Sequence, residues 1–192
     1  MSFSKRATPR IRSGLITGLF AMILALPTVA LAQKVKLATT LGDIVIELDA
    51  AKAPKTTENF IGYVKSGHYD GTVFHRVIGN FMIQGGGMTA DLKQKPTRAP
   101  ILLESKNGLT NVRGSVAMAR TSDPNSASAQ FFINVKDNTF LDAANAADGH
   151  GYAVFGKVVA GMDVVDKIRA VPTGPGDVPL QPVTIKTATL EN

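Results

Sequence analysis

Apolar and polar residues alternate along this chain in short runs, and the runs predict strands. Val35 to Thr40 and Ile44 to Leu48 each alternate with period two, and Leu41-Gly42-Asp43 between them reads as a turn, so the pair forms a hairpin. A helix follows. Pro54 suits its first turn, Phe60, Ile61 and Val64 share one face, and Gly67 is its stop. Five further strand-like runs cover Thr72 to Ile78, Phe81 to Gln84, Gly114 to Ala119, Phe131 to Val135 and Tyr152 to Val159. A second helix spans about Met162 to Ala170, with Met162, Val165 and Ile168 on one side, and Val171-Pro172 ends it. A loop rich in Pro and Gly, Thr173 to Pro182, leads to a last strand from Val183 to Thr189. Seven or eight short strands with only two helices argue for a mainly β barrel or sandwich. Met88 to Val112 carries few strand signals and is expected to be a surface loop.

Composition narrows the class. The chain has 192 residues and is 44% hydrophobic, which suits one domain with a real core. Its lack of cysteine excludes disulfides, thiolate metal sites and cysteine nucleophiles. The three histidines, His68, His75 and His150, leave little material for a metal site, and none is expected. His68 and His150 are expected at the surface, and His75 as a structural neighbour of Arg76.

The basic excess of 21 Lys+Arg over 15 acids is mostly a targeting feature. Lys5, Arg6, Arg10 and Arg12 precede an apolar run, Gly14 to Ala32, that closes on Ala30-Leu31-Ala32. A charged start, an apolar middle and small residues at the cleavage point are the pattern of a secretory signal peptide over residues 1–32. An uncleaved membrane anchor is the alternative, and Pro27 and the Ala-x-Ala ending favour cleavage. The remaining domain, 33–192, carries 17 Lys+Arg against 15 acids and no basic stripe, so nucleic acid is not an expected partner. The lack of an N-x-S/T sequon and of a KDEL-type C-terminus favours a bacterial periplasm. After cleavage the domain is expected to be a monomer free of the membrane.

Common catalytic motifs are missing. Gly85-Gly86-Gly87 lacks the G-K-[ST] of a phosphate loop, and Gly149-x-Gly151 lacks the third glycine of a dinucleotide fingerprint. There is no G-x-S-x-G elbow and no H-E-x-x-H. No cofactor is expected.

Two segments stand out instead. YDGTVFHRVIGNFMIQGG, Tyr69 to Gly86, sets Arg76 among Phe81, Met82 and Gln84. Strand alternation puts Phe74, Arg76 and Ile78 on one face, and Met82 and Gln84 on one face. VAMARTSDPNSASAQFFIN, Val116 to Asn134, joins two strand-like runs through a loop of small polar residues. On pattern alone Phe81, Met82, Phe132 and Leu141 suit a barrel core as well as a pocket. Arg76 suits an ion pair, and Gln84 and Gln130 suit a barrel rim.

These segments resemble the cyclophilin-type peptidyl-prolyl cis-trans isomerases. FHRVI followed by FMIQGG is specific to that family, and NGLTNVRGSVAMART, SAQFFIN and YAVFGKVVAGMDVVDKI resemble it too, so the likeness runs from Lys34 to Thr189. It is nearest to the secreted bacterial, rotamase A subgroup. The resemblance implies a closed eight-stranded antiparallel barrel capped by two α-helices, with proline-containing or unfolded polypeptides as substrate. By motif, Arg76 matches the catalytic arginine, Phe81, Met82 and Gln84 the proline pocket and a substrate hydrogen bonder, and Ala119, Arg120 and Thr121 the edge that pairs with substrate backbone. Gln130 and Phe132 match the pocket, Phe140 and Leu141 its far wall, and Tyr152 a rim residue. Many cyclophilins carry Asn at the Arg120 position, Trp at Phe140 and His at Tyr152; the last two changes imply weak cyclosporin binding.

The implied chemistry needs no nucleophile. An X–Pro bond rotates over a barrier of about 18–20 kcal/mol because amide resonance must break. In the twisted state the proline nitrogen regains a lone pair, which a guanidinium can engage only there. The alternative reading is a proline-peptide binding or holdase module in which turnover is incidental.

Overall fold

The computed structural model describes Met1 and residues 33–191; the rest of the expected signal peptide and Asn192 lie outside the described residues. Eight strands form, β1 (Lys34–Thr39), β2 (Gly42–Leu48), β3 (Thr72–Ile78), β4 (Met82–Thr89), β5 (Ser115–Met118), β6 (Phe131–Asn134), β7 (Val154–Ala160) and β8 (Thr184–Glu191). They close into an antiparallel barrel in the order β1-β2-β7-β5-β6-β4-β3-β8, so no strand edge is left open. Helices α1 (Pro54–Lys65) and α2 (Met162–Arg169) pack on it, α1 against β8 and α2 against β2, β3 and β4.

The interior follows from alternation. Val35 and Leu37 of β1, Ile44, Ile46 and Leu48 of β2, and Phe131 and Ile133 of β6 are sealed inside the barrel. Phe60 of α1 enters the same core, with ring centroids 5.0 Å from Tyr69, 5.4 Å from Phe131 and 5.0 Å from Phe155. The residue before α1, Ala53, cannot cap a helix. Glu104 does so from a distant loop: its carboxylate accepts from the N–H groups of Lys55 (3.2 Å) and Thr56 (2.9 Å) and from the Thr56 hydroxyl (2.7 Å). Such a cap is worth about 1–2 kcal/mol. The expected surface loop, Met88 to Val112, is therefore partly structural: β4 runs on to Thr89, Ile101 bridges Ala127, and Glu104 holds α1.

Two local features correct the strand reading. The β3–β4 ladder pairs Phe74 with Gly85 and Arg76 with Gln84, so His75 is an extra residue, a β-bulge. The bulge separates Phe74 from Arg76. Phe74 turns inward and packs on Phe131, centroids 6.3 Å apart, while Arg76 emerges half-buried on the outside with Ile78. The glycine triplet also has a packing reason. Gly86 sits at φ +82, and a Cβ there would lie 2.7 Å from the Phe131 ring and 2.8 Å from Tyr69. A Cβ on Gly87 would lie 2.3 Å from the Gln130 side chain.

Candidate active site

A single row of paired residues crosses the outer face of five neighbouring strands. Arg76 on β3 pairs with Gln84 on β4, Gln84 with Phe132 on β6, Phe132 with Ala117 on β5, and Ala117 with Val154 on β7. Residues far apart in sequence thus stand side by side on one surface. Met82, Ala117, Phe132, Leu141 and Val154 form a second apolar cluster here, with Phe81, Ala119 and Tyr152 packed on it. Small Ala117 leaves room between larger neighbours.

The result is a pocket of about 130 Å³ lined by Arg76, Phe81, Met82, Gln84, Ala119, Arg120, Phe132, Leu141 and Tyr152. A cavity of about 150 Å³ holds one benzene ring, so this volume suits a small ring. A larger recess of about 510 Å³ surrounds Lys106 and His150, but its walls carry no phenyl ring and none of the expected site residues. Of the other expected site residues, Gln130 is joined to the pocket by the bond from Gln84 Nε2 to its Oε1 (2.9 Å). Phe140 is exposed outside the pocket, stacked on Phe81 with centroids 5.8 Å apart. Thr121 is exposed too; it faces Ser126 of the 122–129 loop, its hydroxyl 2.8 Å from the Ser126 hydroxyl.

Polar partners shape the rim. Arg76 donates from Nε to Asp177 Oδ2 at 3.4 Å, and both side chains are about half exposed. The Arg120 guanidinium is enclosed, with only 2% of the side chain exposed. It donates to the carbonyls of Gly151 (2.9 Å) and Thr121 (2.9 Å) and to the Asp148 carboxylate, and its Cζ lies 4.6 Å from the Tyr152 ring centroid. That hydrogen bond holds the Asp148 carboxyl far below the usual carboxylate range, helped by the N–H groups of Gly151 and His150. Arg120 therefore fixes Tyr152, which packs edge-on against Phe132 at 5.6 Å. The backbone N–H and C=O of Arg120 make no hydrogen bond among the described residues, so this edge is open to an extended peptide.

Sequence reasoning missed the support of the far wall. Asn138 donates through Nδ2 to the Phe81 carbonyl (2.8 Å) and to Asn134 Oδ1 (2.8 Å), Asn134 donates to Ser115 Oγ (2.9 Å), and Asn111 donates to Asp142 (2.8 Å). This mostly buried chain of amides flanks the turn that carries Phe140 and Leu141. Asparagines in strand-end and loop sequence carry no signal that separates such a network from ordinary turns. His68, expected at the surface, is instead half-buried between the rings of Tyr63 and Tyr69, with Nε2 3.2 Å from the Gly86 carbonyl.

Comparison with known proteins agrees with this architecture. A family model described as cyclophilin type peptidyl-prolyl cis-trans isomerase/CLD matches residues 34–190. A peptidyl-prolyl cis-trans isomerase of Streptomyces antibioticus is 61% identical over 159 residues, which covers 80% of this chain and 96% of the relative. Peptidyl-prolyl cis-trans isomerase B of Escherichia coli is 54% identical over 157 residues, 79% of this chain and 96% of the relative. Isomerase A of Dickeya dadantii is 54% identical over 158 residues, 80% and 82% of the two chains. Among solved structures, a cyclophilin type isomerase of Cryptosporidium parvum superposes with TM-score 0.71 at 27% identity, covering 84% of this chain and 98% of that one. The same protein was crystallised in the presence of the dipeptide Ala-Pro, again with TM-score 0.71. The barrel, the motif row and these matches agree, and the chain belongs to the cyclophilin-type peptidyl-prolyl cis-trans isomerases.

Proposed function

We propose that this isomerase acts on X–Pro bonds of exported, unfolded polypeptides and that the Arg76 pocket is where it does so. The observation that carries the reading is a half-exposed guanidinium beside a pocket walled by Phe81, Met82, Phe132 and Leu141. The proline ring occupies the pocket, the Ala119–Thr121 edge pairs with substrate backbone, and Gln84, steadied by Gln130, receives or donates one more hydrogen bond. Arg76 donates to the proline nitrogen as the amide twists, a contact the planar ground state cannot make. Nothing is bonded covalently and no proton is moved. A turnover in milliseconds requires about 5–6 kcal/mol of barrier reduction from an uncatalysed exchange of tens of seconds. One charge-assisted hydrogen bond and a restrained substrate are of that order. A protease-coupled assay on the domain 33–192 tests the reading: turnover abolished by filling the pocket from its wall, as in Ala119→Phe, is expected, and turnover unaffected by it would remove the pocket from the reaction.

Export rests on the signal-peptide pattern of residues 1–32. Intact-mass analysis of exported protein is expected to give a chain beginning at Gln33, and a chain retaining Met1 in the membrane fraction would replace export with anchoring.

Activity and stability are expected to respond differently to pH. Arginine stays protonated throughout, and burial lowers the His75 pKa below 6.5, so that imidazole is neutral above about pH 6.5. Turnover is therefore expected to be nearly flat from about pH 6 to 9, and a bell-shaped profile would bring a titrating group into the chemistry. Burial, with nearby Lys95, also lowers the His68 pKa. Both histidines take up protons more readily unfolded than folded, so their neutral burial is tolerated fully above pH 6.5 and stability falls as pH drops below it. Thermal melts from pH 8 to 5 are expected to show that fall; a Tm constant to pH 5 would contradict it.

Weak cyclosporin binding is expected because Phe140 offers no N–H donor where an indole would. Phe140→Trp is expected to tighten inhibition about 5- to 150-fold, the value of one recovered hydrogen bond of about 1–3 kcal/mol. Equal inhibition of both proteins in the isomerase assay would clear Phe140 of responsibility.

A further inference from the structure

We propose that Asp177 is a positioning residue for the isomerase reaction: it holds Arg76 by Nε so that the Nη groups face the pocket. The inference rests on the reading of Arg76 as the donor to the twisted amide.

Arg76 leaves β3 just after the bulge at His75 and reaches the pocket rim. Its one side-chain hydrogen bond among the described residues runs from Nε to Asp177 Oδ2 at 3.4 Å. An arginine fork has five N–H donors in one plane, so fixing Nε orients that plane and leaves the Nη donors for a ligand. A free arginine would instead lose rotamer freedom on each passage to the twisted state.

Asp177 is placed for this task by unusual backbone. It ends the short turn Pro175–Asp177, which packs against β3 from the segment between α2 and β8. Its φ is +62, directly after Gly176 at +74. A non-glycine residue in the left-handed region is uncommon, and Asp and Asn tolerate it best. The turn does not require the carboxylate. Gly174 N–H donates to the Val178 carbonyl (2.8 Å), Asp177 N–H to Gly174 (3.2 Å) and Leu180 N–H to Pro172 (2.9 Å), all through backbone. A half-exposed ion pair contributes little to folding. Strained backbone that presents a side chain the fold does not need is the pattern of a functional site.

The test is a kinetic cycle of Asp177→Asn, Asp177→Gly and Arg76→Ala, singly and combined. Asn keeps the backbone and a weaker acceptor; Gly removes the side chain and relaxes the left-handed φ. Asp177→Gly is expected to lower kcat about tenfold with KM within about twofold, and Asp177→Asn to lower it less. The Tm of Asp177→Gly is expected to stay level or rise, which a merely structural aspartate would not allow. In the Arg76→Ala background neither change should have any further effect. The Arg76 Nε–H resonance in a 15N-correlated spectrum is expected to move in Asp177→Asn. Wild-type kcat in Asp177→Gly, or the same loss with and without Arg76, would overturn the proposal. Undiminished kcat in Arg76→Ala alone would instead remove the reading of Arg76, an outcome separate from any effect of Asp177.

Discussion

Arg76→Ala is expected to lower kcat about 100-fold while changing KM less than about threefold. A hydrogen bond from a charged donor is worth about 1.5–3 kcal/mol, which converts to roughly 10- to 150-fold in rate. The loss falls on kcat because the acceptor, a pyramidal proline nitrogen, exists only in the twisted state. The ring pocket itself is built from Phe81, Met82, Phe132 and Leu141 and survives the change, so ground-state peptide still binds. Stability is expected to hold, since the guanidinium is half exposed and, among the described residues, paired only with Asp177. Arg76→Lys keeps the charge but loses the planar fork, and an intermediate rate is expected. Steady-state assays on the three proteins decide the matter: a rise in KM that accounts for the whole loss would reduce Arg76 to a binding residue and favour a peptide-binding module.

The second large effect separates two adjacent phenylalanines. Phe131 and Phe132 are neighbours on β6, so their side chains leave opposite faces. Phe131 is fully buried among Phe60, Tyr69 and Phe74, with centroids at 5.4, 5.5 and 6.3 Å. Phe131→Ala removes a core ring and leaves a cavity that the closed barrel cannot collapse, at a cost of about 3–5 kcal/mol. For a chain of this size that is a Tm drop of roughly 6–20 °C. Phe132 lines a pocket that is already open, so Phe132→Ala loses mainly the transfer term, about 1.5–3 kcal/mol. Its main effect is expected on kcat/KM, about 10- to 100-fold lower, because a proline ring then meets one wall fewer. Urea unfolding and the isomerase assay on both variants check the contrast. Similar stability losses with similar activity losses would mean that the two faces of β6 are not divided between core and site.

Much of this division is legible in sequence, because it follows from period-two alternation. The β1–β2 hairpin, the outward pair Met82 and Gln84, and both helices sit where their patterns place them. Alternation fails at His75, one of the points where the β3–β4 ladder breaks register. Phe74 reads as a companion of Arg76, yet the extra residue His75 turns them to opposite sides of the barrel. Nothing in the run TVFHRVI announces that bulge. The pocket row is likewise invisible locally, because it is made by pairing across four ladders. Arg120 shows a different limit. Its motif points to the proposed substrate-pairing edge, whereas the destination of its guanidinium, Asp148 and the Gly151 carbonyl, depends on how a distant loop returns. Asp177 is 101 residues from Arg76, beyond any local signal. The glycine triplet reads in sequence as a failed phosphate loop; its packing against Phe131, Tyr69 and Gln130 gives it a positive role.

The most direct test of the account is the rate of cis–trans exchange of a proline peptide while it is bound. Exchange spectroscopy on an Ala-Pro-containing peptide, at protein concentrations that saturate it, measures rotation on the protein apart from binding. The wild-type domain is expected to exchange the bound peptide within milliseconds, with shifts at Phe81, Phe132 and Tyr152. Arg76→Ala is expected to show the same shifts with exchange about 100-fold slower. Equal exchange rates in the two proteins would contradict the account, because the twisted amide would then be stabilised without the guanidinium.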